Sequence, residues 1–155
     1  LVHAGIHPCW SVDEAYKNSN DTCLLMQSDP EYFFKVMYGN RPNTWSDEMS
    51  RDEKMRFSIN VMTRMRCLNK DQSLDFTYNG SLNNLPADLK PWFYFNSNFQ
   101  RDKKIISGHW SAIDIYKHHY GTSIDSACVW GKKLTALCLE NNKTFSVEVN
   151  KRDLS

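Results

Sequence analysis

The amino-acid sequence predicts an all-β protein. Three observations carry that prediction: an apolar/polar alternation held from Met55 to Cys67, several shorter alternating runs separated by turn residues, and an aromatic content of 13% beside only 6 Gly and 5 Pro. Taken along the chain, Ser11-Val12-Asp13-Glu14 has capping-box spacing and predicts a short N-terminal helix over Val12 to Asn18. A short apolar run from Thr22 to Ser28 ends at Asp29-Pro30, which breaks the chain. Glu31 to Tyr38 is apolar at Tyr32, Phe34, Val36 and Tyr38 on one side and at Phe33 and Met37 on the other, the signature of a strand covered on both faces. Ser46 to Lys54 is charged and helix-permissive, suiting a turn of helix or a lid-like loop.

From Met55 to Cys67, the residues Met55, Phe57, Ile59, Val61, Thr63, Met65 and Cys67 alternate with Arg56, Ser58, Asn60, Met62, Arg64 and Arg66. At about 3.3 Å per residue such a strand extends roughly 40 Å, a length met in barrels and strongly curved sheets. Leu74 to Tyr78 repeats the alternation and ends at Asn79-Gly80, and Ser81 to Pro91 is rich in turn residues. Trp92 to Phe95, Ile105 to Tyr116, Cys128 to Trp130, Leu134 to Leu139 and Lys143 to Val149 supply the remaining strands. About eight or nine strands with short connections point to an antiparallel barrel or sandwich. With 155 residues and no linker or repeat, one domain over 1–155 is expected.

Lys+Arg 19 against Asp+Glu 18 leaves a net charge of +1, which excludes a general nucleic-acid binder and a polybasic membrane-surface module. No apolar run reaches the roughly 18 to 20 residues of a membrane span, and Leu1-Val2-His3-Ala4-Gly5 lacks a signal-peptide core, so a soluble or already processed protein is expected. Five cysteines without a C-x-x-C fit two disulfides and one free thiol in an oxidising compartment, or else buried thiols. Cys128 and Cys138 bracket Gly131-Lys132-Lys133, where a hairpin would bring them together. Asn20, Asn79 and Asn142 open glycosylation sequons in polar, turn-like stretches.

Seven aromatic residues fall on inward-facing positions: Tyr38, Phe57, Phe76, Trp92, Tyr94, Trp110 and Tyr116. They either wall a ligand cavity or pack a solid core, and pattern alone does not separate the two. Asp114, on the parity of Tyr116, is a candidate carboxylate for an organic ammonium, and Glu140 is a second. His3 and His7 have the spacing of a helical metal pair, but Gly5 and Pro8 argue against a helix there, and no metal or other cofactor is expected. Adjacent His118 and His119 face opposite ways on a strand. A hydrolase or nuclease using His109, His118 or His119 finds no supporting motif, so no catalytic residue is assigned.

The stretch Tyr32 to Trp45, read Tyr-Phe-Phe-Lys-Val-Met-Tyr-Gly-Asn-Arg-Pro-Asn-Thr-Trp, together with Trp10, Asp13 to Lys17, the strand reaching Cys67 and Leu74 to Tyr78, resembles the salivary lipocalins of ticks, the group of histamine- and serotonin-binding proteins. That resemblance implies an eight-stranded up-and-down barrel with a short N-terminal helix, secreted, extracellular and non-enzymatic, and adds Arg41 and Trp45 to the ligand-binding set. Arg41 stands where the amine-binding members carry an acid, so the implied ligand is a small hydrophobic or amphipathic mediator or lipid with an anionic or neutral head. The alternative is an immunomodulator that binds a host immune protein through its outer surface, around Trp45, Met49 and the loop 96–104.

Overall fold

Helices organise the first half of the molecule. The computed structural model describes residues 1–96 and 103–154; within them lie α1 (Val12–Ser28), α2 (Pro30–Val36) and α3 (Arg51–Arg64), followed by seven short strands. The strands form three separate small sheets and close no barrel, which corrects the all-β, eight-stranded expectation.

Each helix starts where local chemistry demands it. Ser11 caps α1: its hydroxyl accepts from the Glu14 N–H while the Glu14 carboxylate accepts from the Ser11 N–H. The helix then runs well beyond Asn18, through Thr22 and on to Ser28. Asp29 closes α1, its N–H reaching the Leu25 carbonyl, and opens α2, its side chain accepting from the Tyr32 N–H with Pro30 in the first turn. The Glu31 to Tyr38 segment is therefore mostly helical, and its two apolar sides are a buried Phe33 and an exposed Phe34.

The region expected as one long strand is α3. A second capping box, Ser50 with Glu53, starts it. Its buried residues are Met55, Phe57, Ser58, Asn60 and Val61, spaced three and four apart, while Thr63 on the alternating face is exposed. Ser58 and Asn60 tolerate burial because their side chains are satisfied: the Ser58 hydroxyl donates to the Lys54 carbonyl at 2.7 Å and the Asn60 amide to the Gly39 carbonyl at 2.9 Å.

Strand β1 (Cys67–Asn69) pairs antiparallel with β2 (Leu89–Pro91). In the second sheet β5 (Gly121–Ser123) sits between β3 (Ile105–Ser107), to which it is parallel, and β4 (Tyr116–His118), to which it is antiparallel. A hairpin of β6 (Lys133–Leu137) and β7 (Thr144–Glu148) ends the fold, as its alternating sequence predicts. The other expected strands are replaced: Trp92–Tyr94 and Cys128–Trp130 are 3-10 turns, Leu74 to Tyr78 retains one isolated bridge, and Ile105 to Tyr116 is interrupted after Ser107. Trp10, Phe57, Val61, Met65, Cys67, Leu68, Trp92, Phe93 and Trp110 form the main core, and a smaller cluster of Leu25, Phe33 and Met55 holds α1 and α2 against α3.

Candidate active site

Two histidines 106 positions apart in the sequence meet at one edge of this core. Residues 2–4 run beside β3 and the segment after it: the Val2 N–H donates to the Ile106 carbonyl at 3.0 Å and the Gly108 N–H to the His3 carbonyl at 2.8 Å. His109 follows with φ at 65°, a left-handed conformation uncommon for a residue other than glycine. The turn this produces brings His109 Nδ1 to 3.2 Å from His3 Nε2.

The second nitrogen of His109 fixes the tautomer. Nε2 lies 3.1 Å from the Arg64 carbonyl, which only accepts, so Nε2 carries the proton and Nδ1 presents a lone pair toward His3. Burial, followed by the positive charge of Arg66, pushes the His109 pKa down to about 4, keeping the ring neutral near neutral pH. Two nitrogens bound tetrahedrally to one ion at about 2.0 to 2.1 Å stand about 3.3 Å apart, which the observed separation matches. A backbone carbonyl holding the far nitrogen is also the usual support of a metal-ligating histidine. Among the described residues no third His, Cys, Asp or Glu joins the pair in a cluster.

Basic side chains surround this edge. Arg64 stacks over Phe76, 4.4 Å from the ring centroid, and donates to Asn60 Oδ1 at 2.8 Å. The Arg66 guanidinium, half-buried two residues on, has no hydrogen bond or ion pair among the described residues. Its pKa is lowered chiefly by burial. The remaining titratable groups of the core are structural. His7 is buried between the Gln72 carbonyl and Cys9 Sγ, and burial pushes the thiols of Cys9 and Cys67 up to about 12, far from a reactive thiolate.

Curated proteins of similar sequence are enzymes. The chain is 36% identical over 148 residues to a protein of Chromobacterium violaceum, 35% identical over 153 residues to one of Aromatoleum aromaticum, and 36% identical over 149 residues to one of Legionella pneumophila, matches that cover 95%, 98% and 95% of the chain. All three are symmetrical bis(5'-nucleosyl)-tetraphosphatases. The chain spans just over half of their own lengths, 53%, 56% and 54%. No family model matches.

These relatives overturn the likeness to tick lipocalins and what rested on it: a non-enzymatic binder, secretion, a hydrophobic ligand and a host immune partner. The misreading came from the Tyr32 to Trp45 segment, which is helix and turn in this protein rather than the strand of a barrel.

The aromatic and charged residues expected around a barrel cavity are dispersed. Trp92, Trp110, Tyr94 and Tyr116 cluster about Phe93, with the Trp92 and Trp110 rings buried and the Tyr94 and Tyr116 hydroxyls bonded to each other. Phe57 and Trp45 pack on Trp10. Phe76 lies under Arg64, Tyr38 is exposed, and Arg41 is exposed and bonded to Asn43. Asp114 is exposed and accepts from the Ile115 N–H. Cys128 and Cys138 are free thiols, and Asn20, Asn79 and Asn142 are exposed. Of the loop 96–104, residues 97–102 lie outside the described residues.

Sequence reasoning singled out His109 only as an unsupported alternative, and weighed His3 only with His7, as a metal pair it set aside. The available signal was a shared context: in Leu1-Val2-His3-Ala4-Gly5 and Ile105-Ile106-Ser107-Gly108-His109, short β-prone runs lead to a histidine with glycine close by.

Proposed function

We propose that this chain carries part of the active site of a hydrolase that splits a dinucleoside tetraphosphate at its central anhydride, releasing two nucleoside diphosphates. The observation that carries the reading is 35–36% identity, over nearly the whole chain, to tetraphosphatases named as symmetrical. His3 and His109 support it as a pre-oriented pair suited to a divalent ion, with His109 held neutral chiefly by burial, and Arg66 supports it as a half-buried cation with no hydrogen bond or ion pair among the described residues.

In this reaction the oxygen of water bonds to one inner phosphorus, the central bridging P–O bond breaks with its electron pair leaving on the departing diphosphate, and the proton of water passes to solvent. A divalent ion, when bound, polarises a phosphoryl oxygen and offsets its charge. The protein's own contribution is orientation and charge. The Arg64 carbonyl holds His109 in one tautomer, the strand-like pairing of residues 2–4 with 106–108 sets the angle of His3, and Arg66 is placed to pair with phosphate oxygens.

The test is incubation of the protein with diadenosine tetraphosphate and Mn²⁺, Co²⁺ or Mg²⁺, with nucleotides separated by chromatography and Mn²⁺ binding measured in parallel. ADP as the sole nucleotide product, with turnover and Mn²⁺ affinity each falling at least about 100-fold in His109→Ala, supports the reading. AMP with ATP as the products, or a Mn²⁺ affinity unchanged in His109→Ala, overturns it.

A further inference from the structure

A cavity of about 360 Å³ is lined by Arg66, Asn79, Ala127, Trp130, Lys132 and Trp110, the residue that follows His109, among others. Among the described residues its lining holds two cations and no carboxylate, and Asp125 acts on Arg66 through its charge. The cleft between α1 and α3 mixes Glu14, Asp21 and Asp47 with Lys17, Arg51 and Lys54, so its charges offset one another, and the cleft beside α2 holds Asp29 and Asp52 with Arg51. The cavity lined by Arg66 and Lys132 is thus suited to a polyanion in a way those two are not.

Trp130 is its unusual feature. Its side chain is 77% exposed, although an indole gains more than most side chains by burial. A stiff turn holds it there. Ala127 and Gly131 bracket the 3-10 turn in left-handed conformations, with φ of 62° and 83°. The N–H groups of Trp130 and Lys132 both donate to the Ala127 carbonyl, at 3.0 and 3.1 Å, and the Ala127 N–H donates to Asp125 Oδ1 at 3.0 Å. The opposite wall is equally fixed: Trp110 is buried, with its indole N–H donating to the Gly80 carbonyl at 2.8 Å. An exposed aromatic on a rigid mount, lining the same cavity as two cations, is the arrangement that stacks a nucleobase while holding its phosphates.

We propose that this cavity is a nucleoside diphosphate subsite, with Trp130 stacking on the base, Arg66 and Lys132 pairing with the phosphates, and the exposed Asn79 amide meeting the base edge or ribose. The proposal rests on the tetraphosphatase reading. The cavity lies near the small end of the range for ligand sites and holds one half of a dinucleoside tetraphosphate. The phosphate chain then runs from Arg66 toward the histidine pair, which puts the central anhydride at His3 and His109.

Calorimetric titration of the protein with ADP, adenosine and inorganic pyrophosphate, each separately, tests this. Trp130→Ala, at a position already exposed, should weaken ADP and adenosine at least about fivefold and leave pyrophosphate unchanged. Arg66→Gln should weaken ADP and pyrophosphate about tenfold or more and leave adenosine unchanged. Lys132→Ala, on the surface, repeats the second test should Arg66→Gln not fold. Unchanged ADP and adenosine affinities in Trp130→Ala overturn the subsite. Hydrolysis of the tetraphosphate to ADP with the KM of Trp130→Ala unaltered would sink the subsite and leave the hydrolase intact; loss of ADP binding in Trp130→Ala, in a protein that never hydrolyses the tetraphosphate, would do the reverse.

Discussion

Gly5→Ala is the sharpest test of how the core positions His3. A Cβ built at Gly5 would stand 2.7 Å from Trp92 Cε2, 2.8 Å from Trp92 Nε1 and 2.8 Å from Met65 Cε, against an ordinary carbon contact of about 3.5 to 4.0 Å. The Met65 methyl is the end of a flexible chain and can swing aside. The Trp92 indole cannot, because it is buried and boxed edge-to-face by Phe93 and His118 at 5.5 and 5.3 Å. Overpacking of this kind costs about 1 to 3 kcal/mol, and the lost freedom of the unfolded chain returns about 0.4 to 1 kcal/mol. The net is a destabilisation of about 1 to 2 kcal/mol. With a urea dependence of about 2 kcal/mol per molar, the unfolding midpoint drops by about 0.5 to 1 M at unchanged slope. Since the strand-like segment carrying His3 must shift to relieve the clash, Mn²⁺ affinity should fall in the same variant. An unmoved or raised midpoint would refute the reasoning, because it would mean that the indole yields.

Two further outcomes follow from the helix starts and the buried rings. Ser50→Ala removes the hydroxyl of the capping box that opens α3 and should cost about 1 kcal/mol by urea titration, with a cost near zero counting against the cap as the start signal. Burial pushes the pKa of His118 and of His109 down to about 4 from an ordinary 6.5, so the unfolded chain takes up protons that the folded one refuses. Stability is therefore full above about pH 6.5, declines as the pH falls toward about 4 and levels off below that. His118→Phe, which keeps the stack on Phe93, should flatten part of this slope, whereas an identical slope in the variant would remove His118 as its source.

How far the sequence discloses the structure depends on whether a signal is local. The capping box at Ser11 marks the start of α1, and the alternation over Lys133 to Leu137 and Thr144 to Glu148 marks a real hairpin, since both are contained in a few consecutive residues. The same box recurs at Ser50 to Glu53, but the alternation that follows it masks the helix. Period counting treats Ser58 and Asn60 as outward-facing because they are polar; in the fold both are buried, one satisfied by its own helix and the other by the Gly39 carbonyl. The burial of Asn60 depends on an acceptor 21 positions away, outside the helix, which a window of neighbouring residues does not contain. The histidine pair lies further out of reach, its members 106 positions apart, and the turn that aims His109 uses a conformation for which histidine is no signal. Trp130 ends a short run from Cys128 whose apolar character reads as strand, whereas two left-handed residues fold it into a turn.

The union of Val2 and His3 with Ile106 and Gly108 draws a ring of polypeptide around just over two-thirds of the chain. Closing a loop of that span costs on the order of 4 kcal/mol in chain entropy, repaid at the seam by a few backbone bonds and the packing of Ala4 and Gly5. A seam so lightly held can open while the aromatic core stays shut, parting the two imidazoles without unfolding the protein. Competence for chemistry would then be the last thing gained as the chain matures and the first forfeited on warming, with amide exchange at Val2, Ala4 and Gly108 as its gauge.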